Sequence, residues 1–232
     1  MLKTMIAAPP DEPRWRRLPE ARPRQILDAA VDVFGESGLA AARLEDIAKR
    51  AGVSKGTIYL YFSNKETLFC EMIRQLVGDT IIQAQERATA TSASAMEQLA
   101  DYAHSVWQHI RTPMFEKLHR LSIGELRNFP ALLEFFQREV PGRNVQAIAG
   151  ILRHGIATGE FREMDEMESA RMFQALILSH GIWCAQRERN ALVAHLNDEE
   201  VLAQLLDFFL GAVRKDAGSH PASPASSATN KA

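Results

Sequence analysis

The chain has 232 residues, with 27 Lys plus Arg against 29 Asp plus Glu, a net charge of −2 and 46% apolar side chains. That balance suits a globular protein of one or two domains and excludes a chain that is disordered throughout. Two cysteines, Cys70 and Cys184, are too few for a disulfide scaffold and read as reduced thiols, which predicts a cytoplasmic setting. No apolar stretch is long enough to span a bilayer; Phe173 to Ala185 is interrupted by Ser179 and His180. The run Leu2 to Ala8 is too short for a secretory signal.

Residues 1–20, rich in Pro and Arg, predict a flexible basic arm, and residues 217–232, mostly Ser, Ala and Pro, predict a disordered tail. Between them nearly every segment has helical spacing. Ile26, Ala29, Ala30, Val33 and Phe34 mark a first helix with Gly38 as its stop. Leu44, Ile47, Ala48 and Ala51 mark a second, ended by Gly52, and a third follows Ser54 to about Phe62. Asn64 caps a fourth, carrying Leu68, Phe69, Met72, Ile73, Leu76 and Val77.

Further helices are expected from Ser94 to about Arg111 and from Pro113 to about Asn128. One from Pro130 should break near Pro141-Gly142 and resume to Thr158; Asp165 to about Arg187 and Asp198 to about Arg214 complete the set. Alternating strand patterns are absent. The expected fold is all-α with eight to ten helices.

The informative window is residues 43–62. Ala48 and Ala51 let two helices cross closely, and Gly52 supplies a left-handed backbone after the first. Val53 and Ile58 can pack back on Ile47, and Ser54 caps a helix whose first turn is Lys55-Gly56-Thr57. This is a helix-turn-helix, and such a second helix can enter the major groove of B-DNA. Lys55 can reach phosphate or guanine acceptors, Gly56 permits close backbone approach, and Thr57 offers a hydroxyl and a methyl. Tyr59 and Tyr61 are candidates for phosphate contact, as is Lys65 at the positive end of the next helix. The pattern alone also fits a helical hairpin whose Lys and Tyr are merely solvated. Two tyrosines at i, i+2 argue against it, because they cannot share one buried face.

The window resembles the DNA-binding domain of TetR-type transcriptional repressors. The likeness runs from Arg24-Gln-Ile-Leu-Asp-Ala-Ala, Phe34 and Gly38 through Asp46-Ile-Ala, Ala51-Gly-Val-Ser, Gly56-Thr-Ile-Tyr and Tyr61-Phe62 to Lys65-Glu66. It implies an N-terminal three-helix DNA-binding domain (residues 21–82) joined to a helical ligand-binding and dimerisation domain (residues 83–216). One departure stands out: the family usually has Thr or Ser just before the second helix, and this chain has Ala42 and Arg43. Arg43 either substitutes a charged DNA contact for the lost cap or is solvated.

Charge follows the same division. From Arg14 to Lys65 there are ten basic and six acidic residues, and from Glu71 onward 16 basic and 20 acidic ones. A positive end on a negative body orients the encounter with DNA. Arg14, Arg16 and Arg17 are placed either to lie along phosphates or in a minor groove, or to be solvated.

No sharp motif falls in residues 90–216. By resemblance, the last two helices make a homodimer, with Phe173, Ile177, Cys184, Leu202, Leu205 and Phe209 as candidate interface residues. Two-fold symmetry then implies a near-palindromic operator in double-stranded DNA, with half-sites about 34–36 Å apart. Trp107, Met114, Phe115, Leu118, His119, Ile177, His180 and Trp183 are candidates to line a pocket for a small apolar or amphipathic effector, with Leu121, Phe135 and Phe136 nearby; packing as ordinary core is the alternative. Effector binding would act on the operator through the fourth helix.

No Cys/His spacing suggests a metal, no motif calls for a cofactor, and no P-loop, G-x-G-x-x-G or G-x-S-x-G suggests an enzyme. The expected function is a ligand-relieved transcriptional repressor. The rival is a DNA-binding protein of the same fold without an inducer, controlled by protein partners or acting architecturally.

Overall fold

The computed structural model describes residues 21–76 and 93–215. The predicted arm, the tail and the expected domain boundary at 82 lie outside those residues. All regular elements described are helical, and one isolated bridge joins Phe161 and Arg214. The helices are α1 (Ala21–Ala41), α2 (Leu44–Arg50), α3 (Lys55–Tyr61), α4 (65–76), α5 (Ala95–Ile110), α6 (Pro113–Gly124), α7 (Pro130–Gln137), α8 (Arg143–Thr158), α9 (Glu166–Ala185) and α10 (Asp198–Val213).

Local chemistry places their ends. Gly38 stands at φ 78°, which breaks the helical course of α1 three residues before its end. Ser54, Thr112, Asp165 and Asn197 each accept an amide hydrogen in the first turn of the helix they precede. Asn64 does the same for α4, through Thr67 N at 2.7 Å.

The expected break at Pro141-Gly142 does not occur. A π turn spans Arg138–Gly142 and leads directly into α8. The wider turn accommodates a proline that lacks an N–H and would clash with the carbonyl of an ordinary turn. Glu139, in that turn, is a buried carboxylate paired with Arg138 at 3.1 Å and Arg143 at 2.6 Å. The helix from Pro113 also stops short of Asn128, at Gly124, and a 3₁₀ turn covers Leu126–Asn128.

The chain forms two compact units. The first includes α1–α4 and residues 105–144, so α6 and α7 belong with the helix-turn-helix. Its core holds Ile26, Phe34, Leu39, Ile47, Ile58, Leu68, Phe69 and Ile73, joined by Leu121, Leu126, Leu132 and Phe135. Phe34 and Phe69 meet edge to face at 6.1 Å. Lys117 of α6 pairs with Asp32 of α1 at 2.5 Å, and Glu125 accepts the amide of Ala40 at 3.1 Å.

The second unit includes residues 93–104 and 145–215. Leu99, Ala103, Ile148, Leu152, Phe161, Ala170, Phe173, Ile177, Leu202 and Phe209 are buried in it, with Phe173 and Phe209 rings 4.7 Å apart. The tripeptide Glu160–Arg162 ties its ends together. The Glu160 carboxylate caps α5 through the amides of Ala95 (3.0 Å) and Met96 (3.3 Å). Arg162 N donates to Val213 O at 2.9 Å, and Lys215 N to Glu160 O at 3.1 Å. Phe161 lies against α8 so closely that a Cβ on Gly155 would fall 2.1 Å from its ring.

Candidate nucleic-acid interface

The α2–α3 pair is built from consecutive residues. Gly52 adopts φ 67°, which turns the chain so that Val53 N returns to Ala48 O at 2.9 Å. Ser54 Oγ accepts from Thr57 N at 3.1 Å and lies 2.8 Å from Thr57 Oγ1. The Thr57 hydroxyl is therefore engaged locally. Ile58 is fully buried and anchors α3 to α2.

At 100° per residue, Gly56, Tyr59 and Leu60 face away from Ile58, with Lys55 at the near edge of their arc, and all four are exposed. Gly56 meets nothing nearer than Ser54 Oγ at 3.8 Å. Leu60, two-thirds exposed, has no place in a core and was missed by sequence reasoning because apolar residues are read as core by default.

Two ion-paired arrangements involve α2. Lys55 Nζ lies 2.7 Å from Glu45 Oε1, and Tyr59 Oη donates to the same oxygen at 3.1 Å. Bonding to Lys55, helped by backbone and Tyr59 hydrogen bonds, brings the Glu45 carboxyl down to about 2. At the far end of α2, Arg50 holds Glu36 at 2.6 Å with Asp32 at 3.8 Å. Arg43 occupies the N-cap of α2 with an extended backbone and an exposed side chain that makes no cap bond.

Two candidate DNA contacts, Tyr61 and Lys65, have intramolecular surroundings of their own. Tyr61 packs against the unit's core, and its hydroxyl is enclosed without a hydrogen-bond partner among the described residues. It shares the arc of Ile58 rather than that of Tyr59. The Lys65 ammonium donates to the carbonyls of Ala40 (2.7 Å) and Ala42 (3.3 Å), so it holds the end of α1 to the start of α4.

The candidate pocket residues fall in different units. Trp107, Met114, Phe115, Leu118 and His119 belong to the first; Ile177, His180 and Trp183 belong to the second. In the first, Phe115 stacks on His119 at 5.5 Å and meets His109 edge-on at 5.8 Å. Burial pushes both imidazoles below their usual range. Trp107 is buried, and its Nε1 finds no acceptor among the described residues; Met114 and Leu118 pack on the core, as do Leu121, Phe135 and Phe136. In the second unit His180 and Trp183 rings lie 5.1 Å apart, and Ile177 is buried. Tyr102 Oη and Gln174 Oε1, absent from the sequence-based set, are enclosed there without a hydrogen-bond partner among the described residues. A hydroxyl or amide inside a helical repeat carries no sequence signal that marks it as unsatisfied.

The candidate dimer residues are mostly covered by their own subunit. Phe173, Ile177, Cys184, Leu202 and Phe209 are buried in the unit's own core, leaving only Leu205 half-exposed. The large apolar side chains that α9 and α10 leave to solvent are Met167, Met172, Trp183 and Phe208. Met172, Leu176, Ser179 and Trp183 form one stripe on α9, as do Leu205, Phe208 and Ala212 on α10.

Comparison with known proteins agrees with this architecture. Residues 26–72 match the family model for bacterial regulatory proteins of the tetR family. Residues 97–214 match that for the C-terminal domain of AefR-like transcriptional repressors. The fatty acid metabolism regulator protein of Bacillus subtilis is 32% identical over 185 residues, covering 77% of this chain and 92% of the relative. The crystal structure of the regulator FadR from Bacillus subtilis in complex with stearoyl-CoA superposes with a TM-score of 0.62 at 30% identity, covering 79% of this chain and 97% of that one. The HTH-type transcriptional repressor KstR2 of Mycolicibacterium smegmatis is 24% identical, covering 90% and 97%.

Proposed function

Because the chain belongs to the TetR family of bacterial regulatory proteins, we propose that it is a homodimeric transcriptional repressor of the cytoplasm whose operator binding is relieved by an amphipathic effector of the long-chain acyl-CoA class. The observation that carries the DNA-binding half is the exposed arc Lys55, Gly56, Tyr59 and Leu60, held rigidly by the Gly52 turn and the Ser54 cap. With no side chain at Gly56, α3 can approach the groove floor closely while Lys55 and Tyr59 flank it. Arg43, exposed at the start of α2, adds a phosphate contact.

Pairing follows from the solvent-facing stripes. Met172 and Trp183 on α9, with Leu205 and Phe208 on α10, supply an apolar surface of the kind a second copy covers, and a two-fold pair places two copies of α3 on successive major grooves.

The ligand half rests on Tyr102 and Gln174. Buried polar groups are normally hydrogen-bonded, so an enclosed hydroxyl and an enclosed amide oxygen in one unit supply a donor and an acceptor for a bound molecule. The likeness to a regulator crystallised with stearoyl-CoA supplies the chemical class. Effector binding would act on the operator through the fourth helix; within the first unit, Lys117 of α6 and Glu125 just after it grip α1 at Asp32 and Ala40. A coupling of about 1–3 kcal/mol changes operator affinity 5–150-fold.

The test is binding-site selection from a random duplex library, followed by titration of the selected duplex with and without stearoyl-CoA. The reading requires an inverted repeat and release by the thioester. Selection of no sequence refutes the DNA-binding half; selection without release refutes the effector class.

A further inference from the structure

Lys55 and Tyr59, the two polar side chains of the exposed α3 arc, do not project independently. Both are bound to a single oxygen of Glu45, a residue of α2, at 2.7 and 3.1 Å. Lys55 Nζ also lies 5.8 Å from the Tyr59 ring centroid, so ammonium, phenol and carboxylate form one closed group. The group is solvent-facing, with 67% of the Lys55 side chain and 40% of the Glu45 side chain exposed. Its carboxylate therefore stands at the surface that would meet the duplex. Glu45 lies in the first turn of α2, where the helix dipole favours its charge, and its carboxyl stays ionised under all ordinary conditions.

An anion on a DNA-binding surface needs an account. Every phosphate repels it, whatever the sequence, and its ion pair competes with generic phosphate contact by Lys55. Both effects weaken binding to any duplex. Against the right sequence, the same carboxylate fixes Lys55 and Tyr59 side by side before contact, so less side-chain freedom is lost when they dock.

We propose that Glu45 is a positioning and specificity-determining residue of the DNA interface, which suppresses sequence-independent binding by holding Lys55 and Tyr59 together on one carboxylate oxygen. The proposal rests on the DNA-binding reading above. It assigns a role to an acidic residue outside the recognition helix, and it makes selectivity a property of the three-residue group rather than of Lys55 alone.

The experiment measures the affinity of full-length wild type, E45Q, K55Q and E45Q/K55Q for a selected inverted-repeat duplex and for a scrambled duplex of equal length, by fluorescence anisotropy at several KCl concentrations. Gln keeps a hydrogen-bond acceptor for Tyr59 and removes the charge. For E45Q the scrambled duplex should bind about 3–10-fold more tightly, with a log–log salt slope steeper by about one. The ratio of selected to scrambled affinity should fall by at least threefold, and in the K55Q background E45Q should leave that ratio unchanged. A ratio that stays within twofold or rises in E45Q overturns the proposal, as does an equal fall with Lys55 absent. Thermal melting of each variant establishes that folding is intact, and N64A, which weakens the cap of α4 away from this group, should leave the ratio at its wild-type value. Failure of wild type to prefer the selected duplex refutes the DNA-binding reading itself, a result distinct from any behaviour of E45Q.

Discussion

The Glu125 carboxylate accepts the amide of Ala40 at 3.1 Å and fills the space that a side chain on Gly38 would need, with Oε1 only 1.9 Å from an ideal Cβ there. Gly38→Ala meets two obstacles, that carboxylate and a φ of 78°. It should cost about 1–3 kcal/mol, read as a lower melting temperature. Glu125→Ala alone should cost about 1 kcal/mol by losing the bond to Ala40. The double variant should be less destabilised than the two separate effects combined, because with Glu125 gone only the backbone strain remains. Full additivity would show that the two residues do not interact.

Ser54→Ala removes the N-cap of α3, the helix whose arc carries Lys55 and Tyr59. A loss of about 1 kcal/mol in stability is expected. Operator affinity should fall by more than the melting shift alone implies, because the first turn of α3 would fray at the contact surface. Calorimetry and anisotropy on the same sample check both.

Much of this was legible in the sequence. Gly38, Gly52, Ser54 and Asn64 announced helix ends because left-handed turns and caps are settled by a few consecutive residues. Glu45 and Glu125 gave no such signal, since Glu45 binds Lys55 and Tyr59 across the turn between two helices, the latter 14 positions away, and Glu125 binds Ala40, 85 positions away. For Lys65 the sequence shows a cation at a helix start, and only the fold brings the carbonyls of Ala40 and Ala42 beside it. On α9 and α10, periodicity identified apolar residues without distinguishing the face the subunit covers from the face it leaves open. Phe209 and Phe208 are adjacent in sequence, and only the first is buried.

Tyr102→Phe should leave stability unchanged or slightly raised, because the hydroxyl it removes is enclosed with no hydrogen-bond partner among the described residues. Release of the operator by stearoyl-CoA should need about 5–20-fold more effector, the share of a single hydrogen bond to a charged or polar ligand group. Unchanged release would remove Tyr102 from the effector site.

Phe208→Lys places a charge in the exposed stripe of α10 without touching the buried Phe173–Phe209 pair. Wild type should scatter light as a dimer and the variant as a folded monomer with weakened operator binding. A variant that remains dimeric would move the interface elsewhere.

Acid should destabilise the protein in two stages. Burial lowers the pKa of His109 and His119 from the usual 6.5. A group whose folded pKa is depressed contributes stability above its unfolded value, and that contribution is lost as pH falls through the folded one. The first loss therefore begins below about pH 6.5. The second begins below about 4.5, where Glu160 protonates: burial pushes this carboxyl up, but the amides of Ala95 and Met96 and the Thr158 hydroxyl together draw it lower. Urea midpoints between pH 8 and 3.5 should show both declines. A His109→Gln/His119→Gln variant should lose the first, and Glu160→Gln should flatten the second.

The tripeptide Glu160–Arg162 also sets an order of events during synthesis. It accepts from the amides that open α5 and donates to the carbonyls that close α10, so a single surface clasp joins stretches separated by more than a hundred residues of chain. The second unit cannot close until Val213 has left the ribosome, whereas Asn144, the last residue of the DNA-reading unit, emerges well before. A nascent chain halted before Ala212 would hold a helix-turn-helix unit beside an unclasped partner domain. On the proposed reading its pairing stripe on α10 would be unfinished, so operator binding as a dimer is expected only of chains that have closed the clasp.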